Sequence, residues 1–219
     1  VTDFAPQGSE EWVRQRLGKV TASEFETAIK QPRSAADKKA GKLGKSAQTY
    51  MHALLGERLT GKPRDVPETF AMKHGNTMEP FAVAVYEALT GYKCREVGFI
   101  EHPTEKGIGC SPDRLIGDDG GLEIKCPLHP HIHLGYLLGG VLPKEHTDQV
   151  LGGLWITGRY WWDFISYHED FPDTKLAIFR VRVFRDEYEK QISELSTRVI
   201  AFRDALDAAH SKLTEGLNP

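Results

Sequence analysis

The chain has 219 residues, 40% of them hydrophobic and 27% charged, which is enough for one sizeable core and ordinary for a globular domain. Its formal net charge of -3 excludes a global basic field, so any contact with nucleic acid needs a local positive patch. There is no run of about 18 apolar residues and no charged-then-apolar leader, so neither a membrane span nor a signal peptide is expected. The three cysteines, Cys94, Cys110 and Cys126, fit a reducing cytoplasm better than a disulfide framework. Nothing repeats and no low-complexity linker divides the chain, so a single domain over residues 1–219 is expected.

Residues 9–17 are predicted to form a short helix with Ser9 as N-cap, and Glu10 and Glu11 suit the positive end of its dipole. A second helix is predicted from Thr21, where Glu24 completes a capping box. Ser23 then lies among unpaired N–H groups, a place that attracts anions. On the residues alone the plainer reading is that Ser23 is only a polar first-turn residue and Arg16 a solvated charge. Residues 33–45 read as a basic loop carrying Arg33, Lys38, Lys39, Lys42 and Lys45, either a solvated face or a contact for DNA phosphates. A helix over 46–59 is expected to turn Tyr50, Met51, Leu54, Leu55 and Leu59 inward. Met78, Phe81, Ala82, Val85, Tyr86 and Leu89 form the apolar stripe of the next helix, which Gly91 ends. Pro80 predicts a kink or a helix start there. Short strands at 97–100 and 108–110 follow.

The stretch 110–127, C-S-P-D-R-L-I-G-D-D-G-G-L-E-I-K-C-P, organises the rest. Gly and Asp in its middle tolerate positive φ, and the apolar flanks predict a β-hairpin. Alternation along the second strand puts Glu123 and Lys125 on one face and Ile124 on the other, in the core. The hairpin folds Asp113 back towards Glu123. Two hard carboxylates beside a lysine suit Mg²⁺ and the activation of a water for phosphodiester hydrolysis. An acid, a turn and E-x-K also occur on plain solvated hairpins. Leu122 and Ile124 argue against that here, because they place the charges on a half-buried strand.

Residues 128–144 are predicted irregular. His129, His131 and His133 are not assigned zinc, because no Cys or acid completes a tetrahedral set at usual spacing. A helix over 145–157 carries Gln149, and Gly152 and Gly153 on it suggest close packing against the sheet. Strands follow at 160–167 and 176–184, the second with Arg180 and Arg182 as outward surface charges. A closing helix over 186–213 has Tyr188, Ile192, Leu195, Val199, Phe202 and Leu206 on one stripe. The order of elements predicts an α/β fold with a central mixed β-sheet flanked by α-helices.

Several separated motifs resemble, in the same order, the phage lambda exonuclease family, viral-type alkaline exonucleases of the PD-(D/E)XK nuclease superfamily. They are W-x-x-x-R-L-G-x-x-T-A-S over residues 12–23, H-G-N-T-M-E-P around Glu79, S-P-D with G-L-E-I-K-C-P, and Gln149 before an aliphatic helix and a strand. The resemblance implies a restriction-endonuclease-like core. It implies a Mg²⁺-dependent hydrolase, with Mn²⁺ as a substitute, that digests double-stranded DNA from a 5′ end. A ring-shaped homotrimer, a single-strand annealing protein as partner, bacteriophage recombination and the cytoplasm of a bacterial host also come from the resemblance. It implies that Asp113, Glu123 and the backbone carbonyl of Ile124 hold the metal and that Lys125 activates the water. Glu79 leans in from the side, and Gln149 holds the water or a phosphate. The segment with Arg16 and Ser23 looks like the family's phosphate-binding segment, and Ser111 is expected to join them around a terminal 5′-phosphate. A different nuclease on the same core, single-strand exonuclease or endonuclease, and a non-catalytic DNA-end-binding module are the alternatives.

Overall fold

The structure, a computed structural model, describes residues 5–65 and 67–215. The chain starts with helix α1 (Glu10–Arg16), whose Ser9 N-cap accepts the Trp12 N–H as expected. A short strand β1 (Val20–Thr21) follows, then a 3₁₀ turn (Ala22–Glu24) and the four-residue helix α2 (Phe25–Ala28). The predicted capping box at Thr21 does not form. Thr21 makes no side-chain cap, its hydroxyl lies 3.3 Å from that of Ser23, and Glu24 is drawn to Arg64 at 3.0 Å.

The basic segment is not all loop, because Ser34 caps a short helix α3 (Ala35–Lys39). Helix α4 (Lys45–Thr60) buries Tyr50, Met51, Leu54 and Leu55, while Leu59 in its last turn is exposed. Helix α5 (Phe70–Thr90) starts eight residues before the predicted stripe, capped by Thr69, and runs through Pro80. It buries Ala82 and Tyr86, but Phe81 and Leu89 face solvent, since one sheet face covers only a narrow strip of the helix.

Strands β2 (Cys94–Arg95), β3 (Ile100–Glu101), β4 (Ile108–Cys110), β5 (Arg114–Ile116) and β6 (Gly120–Lys125) follow. Residues predicted irregular after β6 contain helix α6 (Pro130–Gly139), started by Pro130 at its first position, where the missing N–H costs nothing. Then come α7 (Lys144–Thr157), β7 (Trp161–Tyr167), α8 (Thr174–Ala177), β8 (Ile178–Phe184) and α9 (Glu189–Thr214). Helix α9 buries Ile192, Leu195, Val199, Phe202 and Leu206, the stripe read from spacing.

Among the described residues the strands form a three-stranded sheet, β1-β4-β3, and a five-stranded mixed sheet, β2-β5-β6-β7-β8. β5 and β6 are the antiparallel hairpin, and β6 pairs parallel to β7. One cluster, with Leu154, Trp162, Phe164 and Phe202, joins the sheet to α7 and α9. A second joins Ala82 and Tyr86 of α5 to Leu122, Ile124 and Ile165 on the other face.

Two glycines of the hairpin serve packing rather than turning. Gly120 and Gly121 lie in β6 opposite Trp161 and Trp162, and a Cβ there would come within 2.2 and 2.3 Å of the indole rings. Gly117, with φ +49°, is the residue that needs the left-handed region. Arg159 clasps this turn, donating from Nη1 to Gly117 O at 3.0 Å and Gly120 O at 2.8 Å. Gly153 is close-packed against Trp162 of the sheet as expected, whereas Gly152 packs against Phe25 of α2 instead.

Arg182 is not an outward surface charge. It forms a two-pronged ion pair with the fully buried Asp163 at 2.7 and 2.8 Å, and Tyr86 donates its hydroxyl to the same carboxylate at 2.7 Å. Helix α5 covers this face, so the carboxylate needs a cation. Arg180 stays more exposed, 3.9 Å from Asp163.

Candidate active site

Strand register creates the site. Arg114 pairs with Leu122, so continuing the antiparallel ladder by one step sets Asp113 opposite Glu123. The Ile124 N–H donates to Asp113 Oδ2 at 2.6 Å and fixes that carboxylate. Glu123 is buried, and Lys125 on the same face donates to its Oε1 at 2.6 Å.

The electrostatics are strained in one direction. Desolvation and the Glu123 charge push the Asp113 carboxyl well above the usual range, against the pull of Lys125. Burial pulls the Lys125 ammonium down, but the Glu123 and Asp113 carboxylates outweigh it and hold the lysine protonated. Glu79 also acts on Asp113, yet its own carboxylate is engaged by Arg114 at 2.6 Å. Each of the three acids thus has its own partner. Among the described residues no three His, Cys, Asp or Glu side chains converge as a ready metal cage.

The donor set nevertheless fits Mg²⁺. It consists of hard carboxylate oxygens in which two acids repel each other, and this ion is typically held by one or two carboxylates with water and substrate oxygens completing the shell. A cavity of ≈ 530 Å³ opens beside Asp113 and Lys125, lined also by Asn76, Glu79, Tyr136 and His146. His146 lies 3.2 Å from the Tyr136 hydroxyl, and burial with the Lys125 charge lowers its pKa to about 4.

Behind Glu123 a second cavity of ≈ 20 Å³ brings Arg16, Ser23, Ser111 and Gln149 together. Arg16 donates to the Ser111 hydroxyl at 2.7 Å and stacks over the Trp12 ring at 4.4 Å, while Trp12 Nε1 donates to the same hydroxyl at 3.0 Å. Desolvation lowers the Arg16 pKa, and among the described residues no carboxylate forms a salt bridge with it. The cavity has room for about one water, so anything larger would enter only by displacing the Arg16–Ser111 contact. Ser23 sits on the 3₁₀ turn and not at the start of a long helix, so little helix dipole reaches it.

The three-histidine run divides. His133 is buried and bonds Ser166 and the Leu176 carbonyl, each at 2.8 Å, whereas His129 and His131 stack with ring centroids 5.5 Å apart.

Besides the cavity-lining Asn76, Tyr136 and His146, Arg114 and Gln7 were not singled out from sequence. Arg114 stood beside Asp113 and drew no attention as a single charge in a turn-flanked strand. Gln7 donates to the carbonyls of Val97 and Pro112, and nothing in its surroundings marks it.

Comparison with known proteins matches residues 11–160 to the YqaJ-like viral recombinase domain. An alkaline exonuclease from Laribacter hongkongensis, LHK-Exo, is 38% identical, with 95% of this chain and 98% of that one covered and a TM-score of 0.82. The same protein in complex with dAMP matches equally. A phage related exonuclease from Haemophilus somnus 129PT is 19% identical over 87% of this chain and 96% of its own, with a TM-score of 0.65, and shares the fold. No curated protein matches in sequence. The fold is restriction-endonuclease-like, a mixed sheet flanked by helices. By the matched span and this identity, the chain belongs to the family of the YqaJ-like viral recombinase domain.

Proposed function

We propose that the protein is an exonuclease acting on DNA in recombination, and that it degrades linear duplexes stepwise from the 5′ end with Mg²⁺, or Mn²⁺ in its place. The observation that carries this reading is the position of Glu123. It belongs to the acid–lysine cluster and also lines the cavity of Arg16, Ser23, Ser111 and Gln149. A bond-cutting centre and an anion pocket therefore share a wall, as an enzyme that removes one nucleotide at a time requires. The likeness to an alkaline exonuclease solved with a nucleoside monophosphate supports the same reading.

Asp113, Glu123 and the Ile124 carbonyl would hold the metal. When bound, it supplies a more acidic water and offsets charge building on the phosphate. Lys125 is a cation, so its N–H groups orient the attacking water and face the developing oxyanion. It becomes a better proton acceptor only once the charge of the two acids is taken up. Gln149 holds a substrate phosphate with its amide. Arg16, with Ser111 and Ser23, grips the terminal 5′-phosphate. Arg16 is already desolvated, so an anion restores interactions it has lost.

One exonuclease domain, a trimeric ring, a single-strand annealing partner and a phage-encoded origin in a bacterial cytoplasm complete the reading. Among the described residues no helix is long and apolar enough to cross a membrane. The test is incubation of linear duplex, linear single strands and closed circular duplex, each with Mg²⁺ or with chelator. Loss of the linear duplex alone, and only with Mg²⁺, is expected. Cutting of the circle would make it an endonuclease, preference for single strands a different exonuclease, and binding of ends without cutting a DNA-end module.

A further inference from the structure

We infer that Arg114 is a positioning residue that holds Glu79 against the edge of the acid cluster. This rests on the nuclease reading above, and it extends the site by one side chain from the opposite face of the sheet.

Arg114 directly follows Asp113, and strand alternation sends the two side chains apart. Arg114 pairs across the hairpin with Leu122, whose side packs with α5. From there the guanidinium joins three segments. Nη1 donates to Glu79 Oε1 on α5 at 2.6 Å and to the Asp113 carbonyl at 2.5 Å, and Nη2 lies 3.5 Å from Glu96 Oε1.

The three contacts differ in worth. The Glu96 side chain is 83% exposed, and screening leaves little in that pair. Side-chain exposures of 11% for Arg114 and 28% for Glu79 shield the other pair. The shielded pair therefore directs the side chain.

Glu79 needs such a partner. Its carboxylate stands on α5 with only 28% of the side chain exposed, so water solvates its charge incompletely. The carboxylate also sits in the field of Asp113. Three acids, Glu79, Asp113 and Glu123, face two cations, Lys125 and Arg114, so without Arg114 the acids would repel one another more strongly. The same guanidinium grips the main chain of Asp113, and one side chain thereby sets the spacing between the hairpin acid and the helix acid. Groups that orient ligands in this way typically change affinity or rate about 10–100-fold when removed.

The experiment is a double-mutant cycle on the full chain with Arg114→Ala, Glu79→Ala and the pair. Its readouts are kcat and KM on linear duplex, Mg²⁺ affinity by calorimetry, and Tm. Arg114→Ala should lower kcat and Mg²⁺ affinity each about tenfold or more, with KM little changed. In the Glu79→Ala background it should add much less, because only its grip on the Asp113 carbonyl is then left to lose. Arg114→Lys should restore part of the loss. Losses that multiply, or a rise in KM with unchanged Mg²⁺ affinity, would overturn the proposal, the latter making Arg114 a direct phosphate contact. If Arg114→Ala does not fold, the cycle of Arg114→Lys with Glu79→Gln decides by the same criterion. A wild type that binds Mg²⁺ but cuts nothing sinks the nuclease reading, while the calorimetric cycle still tests the link. A wild type that binds no Mg²⁺ overturns both.

Discussion

The guanidinium of Arg16 donates to the hydroxyl of Ser111 at 2.7 Å and joins α1 to the short segment between β4 and Asp113. This places a desolvated cation beside the acid cluster, where among the described residues it bonds a neutral hydroxyl and stacks on an aromatic ring. A terminal phosphate has one more free oxygen and more charge than an internal one, and a guanidinium can grip two such oxygens at once. Arg16→Ala should therefore reduce the preference for 5′-phosphorylated over 5′-hydroxyl ends by about tenfold or more, the worth of a charge-assisted hydrogen bond. Processive runs should shorten and Mg²⁺ binding should survive. Initial rates on the two end types check this, and an unchanged ratio points instead to the basic segment at Lys38–Lys45.

Lys125 is tied to Glu123 at 2.6 Å and is held protonated by both acids. Lys125→Ala should lower kcat by about two or more orders of magnitude, as is usual for loss of an activating group, and leave DNA binding near normal. Single-turnover rates with a binding assay separate the two effects. Near-normal turnover would remove Lys125 from the mechanism.

Glu123→Gln and Asp113→Asn keep shape and remove charge, so calorimetry should show weaker Mg²⁺ binding in both. Ca²⁺ should bind but support little cleavage, because its looser shell positions water poorly. The pH sign follows from Asp113, whose folded pKa is raised by desolvation and Glu123. Its contribution to metal-free stability is full below the unfolded value, about 3.9, and is lost as pH rises through the folded value. At neutral pH the metal-free Asp113→Asn protein should then melt higher than wild type, by about 2–4 °C for each kcal/mol gained. Mg²⁺ should narrow the gap, and its affinity for wild type should rise with pH over the same window. A variant that melts lower without metal would contradict the strain.

Asp163 is fully buried and shared by Arg182 and the Tyr86 hydroxyl. Asp163→Ala should cost about 3–5 kcal/mol, since it strands a cation rather than removing a pair. Urea denaturation measures it. A loss under about 1 kcal/mol would mean that Arg182 finds water instead.

The acid–lysine hairpin was legible because strand alternation is local, and Glu123, Ile124 and Lys125 fall where a period of two puts them. The α9 stripe was legible for the same reason at a helical period. What failed depended on distant partners. Arg182 read as surface charge because nothing in its own strand announces Tyr86 and Asp163. Thr21 looked like a helix cap, but Arg64, forty positions past Glu24, takes the glutamate. Gly120 and Gly121 read as turn residues because the two indoles lying on them come from β7. The meeting of Arg16 with Ser111 needed the motif order of a known family, since 95 residues separate them.

The most direct test of the central claim, stepwise cutting from a phosphorylated 5′ end, is the order of label release from one linear duplex. One strand carries label at its 5′ terminus and, in a parallel sample, at its 3′ terminus. With Mg²⁺, the 5′ label should leave first as a mononucleotide and the 3′ label last, and Lys125→Ala should slow both by about two or more orders of magnitude. Early release of the 3′ label, or release of both in long fragments, would contradict the account.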